Sequence, residues 1–336
     1  MAARDIRAVT SPHPLPVGLD DIRAAHGGIE GLVHRTPCAS SATLSRMTGL
    51  RITLKLENLQ KTGSFKPRGA LTVMKRLAPE ERARGVITIS AGNHAQGVAY
   101  AASVLGCPAV VVMPAGASPA KAEAARGYGA EVVLHGDVAA AFEKMHALRH
   151  ERGLAFVHPF DDPGTVAGQG TLGLEVLEDV PDADVVVAGI GGGGLASGIA
   201  VAVKALRPAA RVVGVEPVGA AAMRRSLDEG RPARLDRIDT IADGLAPPFV
   251  GDLNFEILRR LADDVVLVTD DEIRSAMRFL LERCKTLAEP AGAAAVAAVL
   301  AGMVKAPPGS RVVCVVSGGN VSPDALAAHL AAAPRI

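Results

Sequence analysis

Thr62-Gly63-Ser64-Phe65-Lys66-Pro67-Arg68-Gly69-Ala70 places one lysine at the mouth of a helix. Pro67 has its φ pre-set and no N–H to leave unpaired, which suits a first helical position. Beyond it Leu71, Val73, Met74 and Leu77 recur at roughly helical spacing. Lys66 is therefore expected where the helix presents its positive end. The macrodipole disfavours a cation there and moves the amine towards its neutral, nucleophilic form. An amine in that state can form a Schiff base with a carbonyl compound. A lone lysine is more often simply solvated, so the weight rests on the loops that accompany it.

On either side of this stretch the chain alternates. Arg51 to Glu57 reads as a half-buried strand, preceded by helices over 19–31 and Ser40 to Thr48. After the Lys66 helix come strands at Val86–Ile89, Ala109–Met113 and Glu131–Leu134, and helices at His94–Leu105, Pro119–Tyr128 and Val138–Arg152. The second half repeats this rhythm. Its helices are Thr165–Glu178, Leu195–Leu206, 270–284 and 290–303, and its strands Asp184–Ala188, Arg211–Val215, Val265–Val268 and Arg311–Val316. Residues 217–250 are rich in Pro, Gly and Arg and read as irregular. Alternating buried strands and amphipathic helices imply parallel sheets covered on both faces. We expect two open-sheet α/β lobes with the site in the cleft between them, 53–154 forming the small domain and 1–52 with 155–336 the large one.

Composition removes several function classes. Phe and Tyr together number nine among 336 residues and Trp is absent, so the core must be close-packed Ala, Val, Leu and Ile. A net charge of +1 gives no electrostatic case for nucleic acid or an anionic membrane. Cys38, Cys107, Cys284 and Cys314 form no CxxC or Cys/His cluster, which reads as reduced thiols in a cytoplasmic protein. Met1 to Pro16 has no apolar segment of a signal peptide. The uncharged run Val185 to Val203 has the length of a membrane span, but its glycine-rich centre argues for a buried strand–loop–helix unit.

Four glycine-bearing stretches carry the chemistry, and in open α/β sheets ligands bind beyond the carboxyl ends of strands. Ser90-Ala91-Gly92-Asn93-His94 enters a helix with free N–H groups and a hydroxyl, suited to a small anion such as a carboxylate. Gly191-Gly192-Gly193-Gly194-Leu195 lets the backbone wrap a phosphate. Gly189, Gly191 and Gly194 also spell G-x-G-x-x-G, with Glu216 at the spacing of a ribose-binding acid. Alone, that stretch reads as a site for a nicotinamide dinucleotide, hence an NAD-dependent oxidoreductase. Ser317-Gly318-Gly319-Asn320 follows the last strand, and Glu289-Pro290-Ala291-Gly292-Ala293 opens a helix with an acid. Taken singly, each of these two is an ordinary turn or cap.

Together, Glu57-Asn58-Leu59-Gln60 with the lysine stretch and the four loops in this order resemble the fold-type II (tryptophan synthase β-like) pyridoxal-phosphate enzymes. The similarity is greatest to the serine/threonine dehydratases (threonine ammonia-lyases) and serine racemases, and it runs from about residue 19 to about 330. The resemblance implies that Lys66 holds pyridoxal 5'-phosphate as a Schiff base, with Phe65 against its ring and Asn93 on its 3-oxygen. It implies that Gly191, Gly192, Gly193, Gly194 and the Leu195 amide cradle the phosphate. Ser317 would meet the pyridine nitrogen, with Gly244, Glu289 and Gly318 around the ring. Ser90, Ala91, Gly92, Asn93 and His94 would take a substrate carboxylate.

The activity so implied is dehydration and deamination of an L-hydroxyamino acid: L-threonine to 2-oxobutanoate and ammonia, or L-serine to pyruvate and ammonia. The alternatives are another β-elimination or a β-replacement, for example on 3-hydroxyaspartate, or serine racemization. Serine racemases carry a serine immediately before the Gly-Asn-His triplet as the second base; here Ala91 has no proton to give. His158-Pro159-Phe160-Asp161-Asp162-Pro163 is likewise similar to the dehydratases. The chain stops soon after Asn320, so we expect no regulatory domain of the biosynthetic threonine-deaminase kind. Glu216 matches the acid of the family's mono- or divalent cation site, but Ala220 and Ala222 offer only carbonyls beside it; a capping Glu216 is the alternative. The resemblance also implies a homodimer.

Overall fold

The computed structural model describes residues 14–334, so the N-terminal segment read as lacking a signal peptide lies outside it up to residue 13. Ten strands form two sheets. They are β1 (Cys38–Ser40), β2 (Arg51–Leu56), β3 (Val86–Ile89), β4 (Ala109–Met113), β5 (Glu131–Leu134), β6 (Ala155–Phe156), β7 (Val185–Gly189), β8 (Arg211–Pro217), β9 (Asp264–Val268) and β10 (Arg311–Val316). The larger sheet runs β1-β2-β10-β7-β8-β9 and the smaller β5-β4-β3-β6. Every pairing is parallel except β1 with β2. β4 and β7 are buried along their whole length, the uniform apolar run of a parallel strand covered on both faces.

The helices are α1 (Leu19–Ile29), α2 (Ala42–Thr48), α3 (Lys66–Arg76), α4 (Pro79–Arg84), α5 (Asn93–Leu105), α6 (Pro119–Gly127) and α7 (Val138–Arg152) in the first half. The second half adds α8 (Pro163–Asp179), α9 (Gly194–Leu206), α10 (Ala222–Glu229), α11 (Asp252–Leu261), α12 (Asp270–Cys284), α13 (Pro290–Leu300) and α14 (Pro323–Ala332). The expected alternation is present, and local chemistry explains its ends. Ser41 and Asp137 accept N–H groups at the starts of α2 and α7, and Thr269 with Glu272 forms a capping box on α12. α4, α10, α11 and α14 were not expected, nor were the short strands β1 and β6. β6 has two residues and α4 six, too few to show a period. The four cysteines are unpaired. Among the described residues no helix is long and apolar enough to cross a membrane, and the run from Val185 is β7, a loop and α9.

The expected boundaries at 52/53 and 154/155 do not follow the sheets. β2 pairs with β10 from Arg51 through Leu56, so all of it belongs to the larger sheet. β6 pairs with β3 and belongs to the smaller. By sheet membership the chain leaves the larger sheet after residue 56 and the smaller one after 156.

α3 packs against both α5 and α8, and α8 against α9. That layer contains a buried ionic cluster of Lys55, Glu57, Arg68 and Glu175, each at most 2% exposed, with the partly exposed Asp179 at 3.9 Å from Lys55 on its edge. The Arg68 guanidinium donates from Nε and Nη2 to Glu57 at 2.8 Å each, and to Glu175 at 2.7 and 2.9 Å. Lys55 Nζ donates to Glu175 and to the Thr36 carbonyl, both at 2.6 Å. Burial would raise the Glu57 carboxyl, but Arg68, Thr36 and Lys55 outweigh it and hold the group below its usual range. Two cations and two anions, fully hydrogen-bonded, are what makes buried charge tolerable.

Candidate active site

β2, β10 and β7 are adjacent and parallel, with Leu56 opposite Val316 and Val187 opposite Cys314. Their carboxyl ends therefore open on one edge, and three stretches distant in sequence meet there: 57–65, 317–320 and 190–193. Ser64 bridges to Gly318, the Phe65 N–H donates to the Ser317 carbonyl at 3.2 Å, and the Gly319 N–H donates to Gly63 at 2.9 Å.

Lys66 is the first residue of α3, with Pro67 behind it, as its sequence predicts. Its Nζ donates to the Pro159 carbonyl at 2.9 Å and stands 5.0 Å from the centre of the Phe65 ring. Burial lowers its pKa to about 8, against the opposing pull of Glu289. The neutral tendency expected from the helix end is thus reached mainly by desolvation. Gly97 of α5 lies against the lysine stem, where a Cβ would be 2.9 Å from that of Lys66.

The Pro159-Phe160 segment joins the lysine to the glycine loop. The Phe160 ring occupies the space a side chain at Gly192 would need, and Gly193 adopts φ +101°, open to glycine. Asn254 Nδ2 donates to the carbonyls of Phe160 and Gly192 at 2.9 and 3.0 Å. Gly244 reaches the other side of the loop, its carbonyl 3.1 Å from where a Cβ on Gly191 would stand. Gly194 begins α9, and Leu195 follows within its first turn.

Asn93, the first residue of α5, donates to Glu289 Oε1 at 2.6 Å and accepts from Asn320 Nδ2 at 2.8 Å. Asn320 also donates to the Thr62 carbonyl at 2.7 Å, which ties this pair to the lysine loop. Gly318 packs against Glu289 and Asn93. Burial pushes the Glu289 carboxyl up to about 7, although Asn93 donates to it. Ser317 is buried, its hydroxyl 3.5 Å from the Ala291 carbonyl. Ser90 Oγ accepts from the Gly92 N–H at 3.2 Å and keeps its own proton to give, while Ala91 and Gly92 are half-buried. The His94 ring is turned to the Val157 carbonyl, 3.0 Å from Nε2, and burial keeps it neutral, with a pKa of about 3. Of His94, therefore, the main-chain N–H and not the ring is what an anion at this helix start would meet.

Glu216 stands apart from this group. It is fully buried, and its two oxygens accept the N–H groups of Met223 and Arg224 at 2.7 and 2.8 Å, which caps α10. Fully buried against those N–H groups, the carboxyl is not open to a ribose, and the dinucleotide reading of the glycine loop loses its acid. Among the described residues no cluster of three or more His, Cys, Asp or Glu could hold a metal. Burial raises Glu216 to about 8, against those N–H donors. Between its usual 4.5 and about 8 the folded chain holds a proton that the unfolded chain has released. Stability should therefore fall as pH rises through that window, and Glu216→Gln should remove this part of the slope. Urea unfolding of both proteins at pH 5 and pH 8 checks it; parallel profiles would refute it.

Sequence reading placed Asn320 in a turn without giving it a role, and missed Asn254 and Gln169. A signal existed for Gln169: α8 is apolar and buried over nearly its whole length, yet carries Thr165, Gln169, Thr171 and Glu175.

The residues present fit a phosphorylated aldehyde. A glycine run opens onto a helix start, the lysine amine is held near neutrality, and buried polar atoms without partners lie in the adjoining stretches: Ser64 Oγ beside the lysine and both ends of the Gln169 amide against Gly194. Fold and site together define an α/β enzyme built around a buried lysine at a helix start. Residues 29–318 match the family model described as pyridoxal-phosphate dependent enzyme, and the chain belongs to that family. It is 48% identical to the L-threonine ammonia-lyase of Thermotoga maritima, over 91% of this chain and 76% of that one. It is 43% identical to the phenylserine dehydratase of Ralstonia pickettii, over 93% and 96%. Maize serine racemase superposes with a TM-score of 0.90 at 38% identity, over 94% of this chain and 97% of that one.

Proposed function

We propose that this protein dehydrates and deaminates an L-hydroxyamino acid, with L-threonine giving 2-oxobutanoate and ammonia. The observation that carries the reading is the Lys66 amine, near neutral at a helix start and linked through Pro159-Phe160 to the glycine loop. Bound pyridoxal phosphate would supply an aldehyde for that amine and an electron sink beside the substrate Cα. Lys66 would hold it covalently and Gly191 to Leu195 would take its phosphate on main-chain N–H groups. Asn93 would meet the 3-oxygen, Ser317 the pyridine nitrogen, and Phe65, Gly244, Glu289 and Gly318 would line the ring.

The free Lys66 amine is the base for the substrate Cα proton, and its lowered pKa keeps an unprotonated fraction near neutral pH. Ser90, the N–H groups of Ala91, Gly92 and His94, and Asn93 would orient the substrate carboxylate at the start of α5. A neutral serine hydroxyl at the pyridine nitrogen does not enforce ring protonation as an aspartate would, which suits elimination better than transamination. Ala91 offers no proton on the opposite face, so elimination is favoured over racemization. The likeness to a phenylserine dehydratase supports a second reading, in which the β-substituent is aromatic. We place the enzyme in the cytoplasm as a homodimer.

A panel of L-threonine, L-serine, 3-hydroxyaspartate and phenylserine, read by oxo-acid and ammonia release, tests this. The highest kcat/KM is expected for L-threonine. Release from none of the four would overturn the reading, and preference for phenylserine would establish the second.

A further inference from the structure

We propose that the Gln169 side chain is an additional ligand of the cofactor's phosphate group, beside the main-chain N–H groups of the glycine loop. This rests on the reading of Lys66 as the point of attachment. Gln169 is 1% exposed, and neither Nε2 nor Oε1 has a hydrogen-bond partner. Leaving a buried amide unpaired costs free energy comparable to a lost hydrogen bond, so such groups are rare unless a ligand or water completes them.

The place of this amide narrows what completes it. Its Oε1 lies 2.6 Å from where a Cβ on Gly194 would stand, and its Nε2 3.2 Å from one on Gly69. It therefore fills the wedge between the first turns of α9 and α3. Both helices turn their positive ends to this region, and neither has an acid in its first turn. Rotating the amide by 180° exchanges its atoms and keeps a donor in the wedge. Ser197, in the early part of α9, is also fully buried with its hydroxyl unpartnered. A cation is disfavoured between two helix starts, and an apolar group would leave the Gln169 amide unpaired. An anion with several acceptor oxygens suits both the amide and the two helix starts, and on this enzyme that anion is the phosphate of pyridoxal phosphate.

The test uses full-length enzyme, resolved and titrated with pyridoxal phosphate and, separately, with pyridoxal, which lacks the phosphate. Gln169→Leu is expected to weaken pyridoxal phosphate about 10- to 100-fold, the range of one hydrogen bond to a charged partner. Pyridoxal affinity should stay the same. Gln169→Met keeps the unbranched shape and should behave like Gln169→Leu if the leucine variant folds poorly. Unchanged affinity for pyridoxal phosphate in a folded variant would overturn the proposal. So would equal weakening of both compounds, which would make Gln169 a space-filling residue. Borohydride reduction of the wild-type holoenzyme, followed by peptide mapping, tests the underlying reading separately. No label at residue 66 would overturn that reading and this inference with it.

Discussion

Lys66→Ala protein is expected to emerge from purification without covalently held cofactor, and with turnover lower by at least about 10²–10⁴-fold from the missing proton transfer alone. The physical reason is that one amine serves twice. It is the group that would bond the aldehyde, and when free it would be the base for the substrate Cα proton. Two further lysines are engaged elsewhere: Lys55 is tied into the ionic cluster and Lys121 pairs with Asp243. Lys66→Arg should fail equally, since a guanidinium keeps the charge but does not deprotonate in proteins. Because burial brings the amine to about 8, condensation of resolved wild-type protein with added pyridoxal phosphate should accelerate as pH rises from 7 to 9. The absorption band of the attached cofactor and borohydride labelling report both effects. A variant that keeps a reducible bond elsewhere and full turnover would refute the assignment.

Arg68→Met should destabilise the fold by about 3–5 kcal/mol, the usual result of removing one partner from a buried ion cluster. Arg68 makes hydrogen bonds to Glu57, Glu175, Thr171 and the His34 carbonyl. Its loss leaves Glu57 and Glu175 facing Lys55 alone, a net negative charge with no water to solvate it. Pairing it with Glu57→Met removes one charge of each sign and keeps Lys55 with Glu175. That double variant should recover more than half of the lost stability. Urea unfolding of the two variants beside the wild type measures this directly. If the double variant is as unstable as the single one, shape and not charge balance governs this layer. Since Arg68 lies two residues after Lys66 in α3, the single variant should also lose cofactor affinity.

Local chemistry made much of this legible in advance. Pro67 behind Lys66, the glycine run between an apolar strand and an apolar helix, and the uniform burial of β4 and β7 each follow from neighbours within a few residues. What escaped was short or set by distant partners. β1 and β6 are too brief for a period, and α10 begins inside a Pro- and Gly-rich stretch because Glu216 caps it from the strand before. The direction of the His94 ring is set by a distant partner in the same way. Its position at a helix start was readable, but its partner, the Val157 carbonyl, lies 63 residues further on.

The residues alone determined that this is a parallel α/β chain with a lysine at a helix start and phosphate-suited glycines, since propensity, capping and period act within a turn or two. Which loops share one edge was decided only in three dimensions. β10, the last strand in the chain, inserts between β2 and β7, and that insertion brings Ser317 beside Phe65 and the lysine loop near the glycine run. Strand order in a parallel sheet is fixed by which apolar faces and crossover helices pack together across the whole molecule. The same long-range packing put an unpaired glutamine beside the glycines and lowered the lysine's pKa by burial.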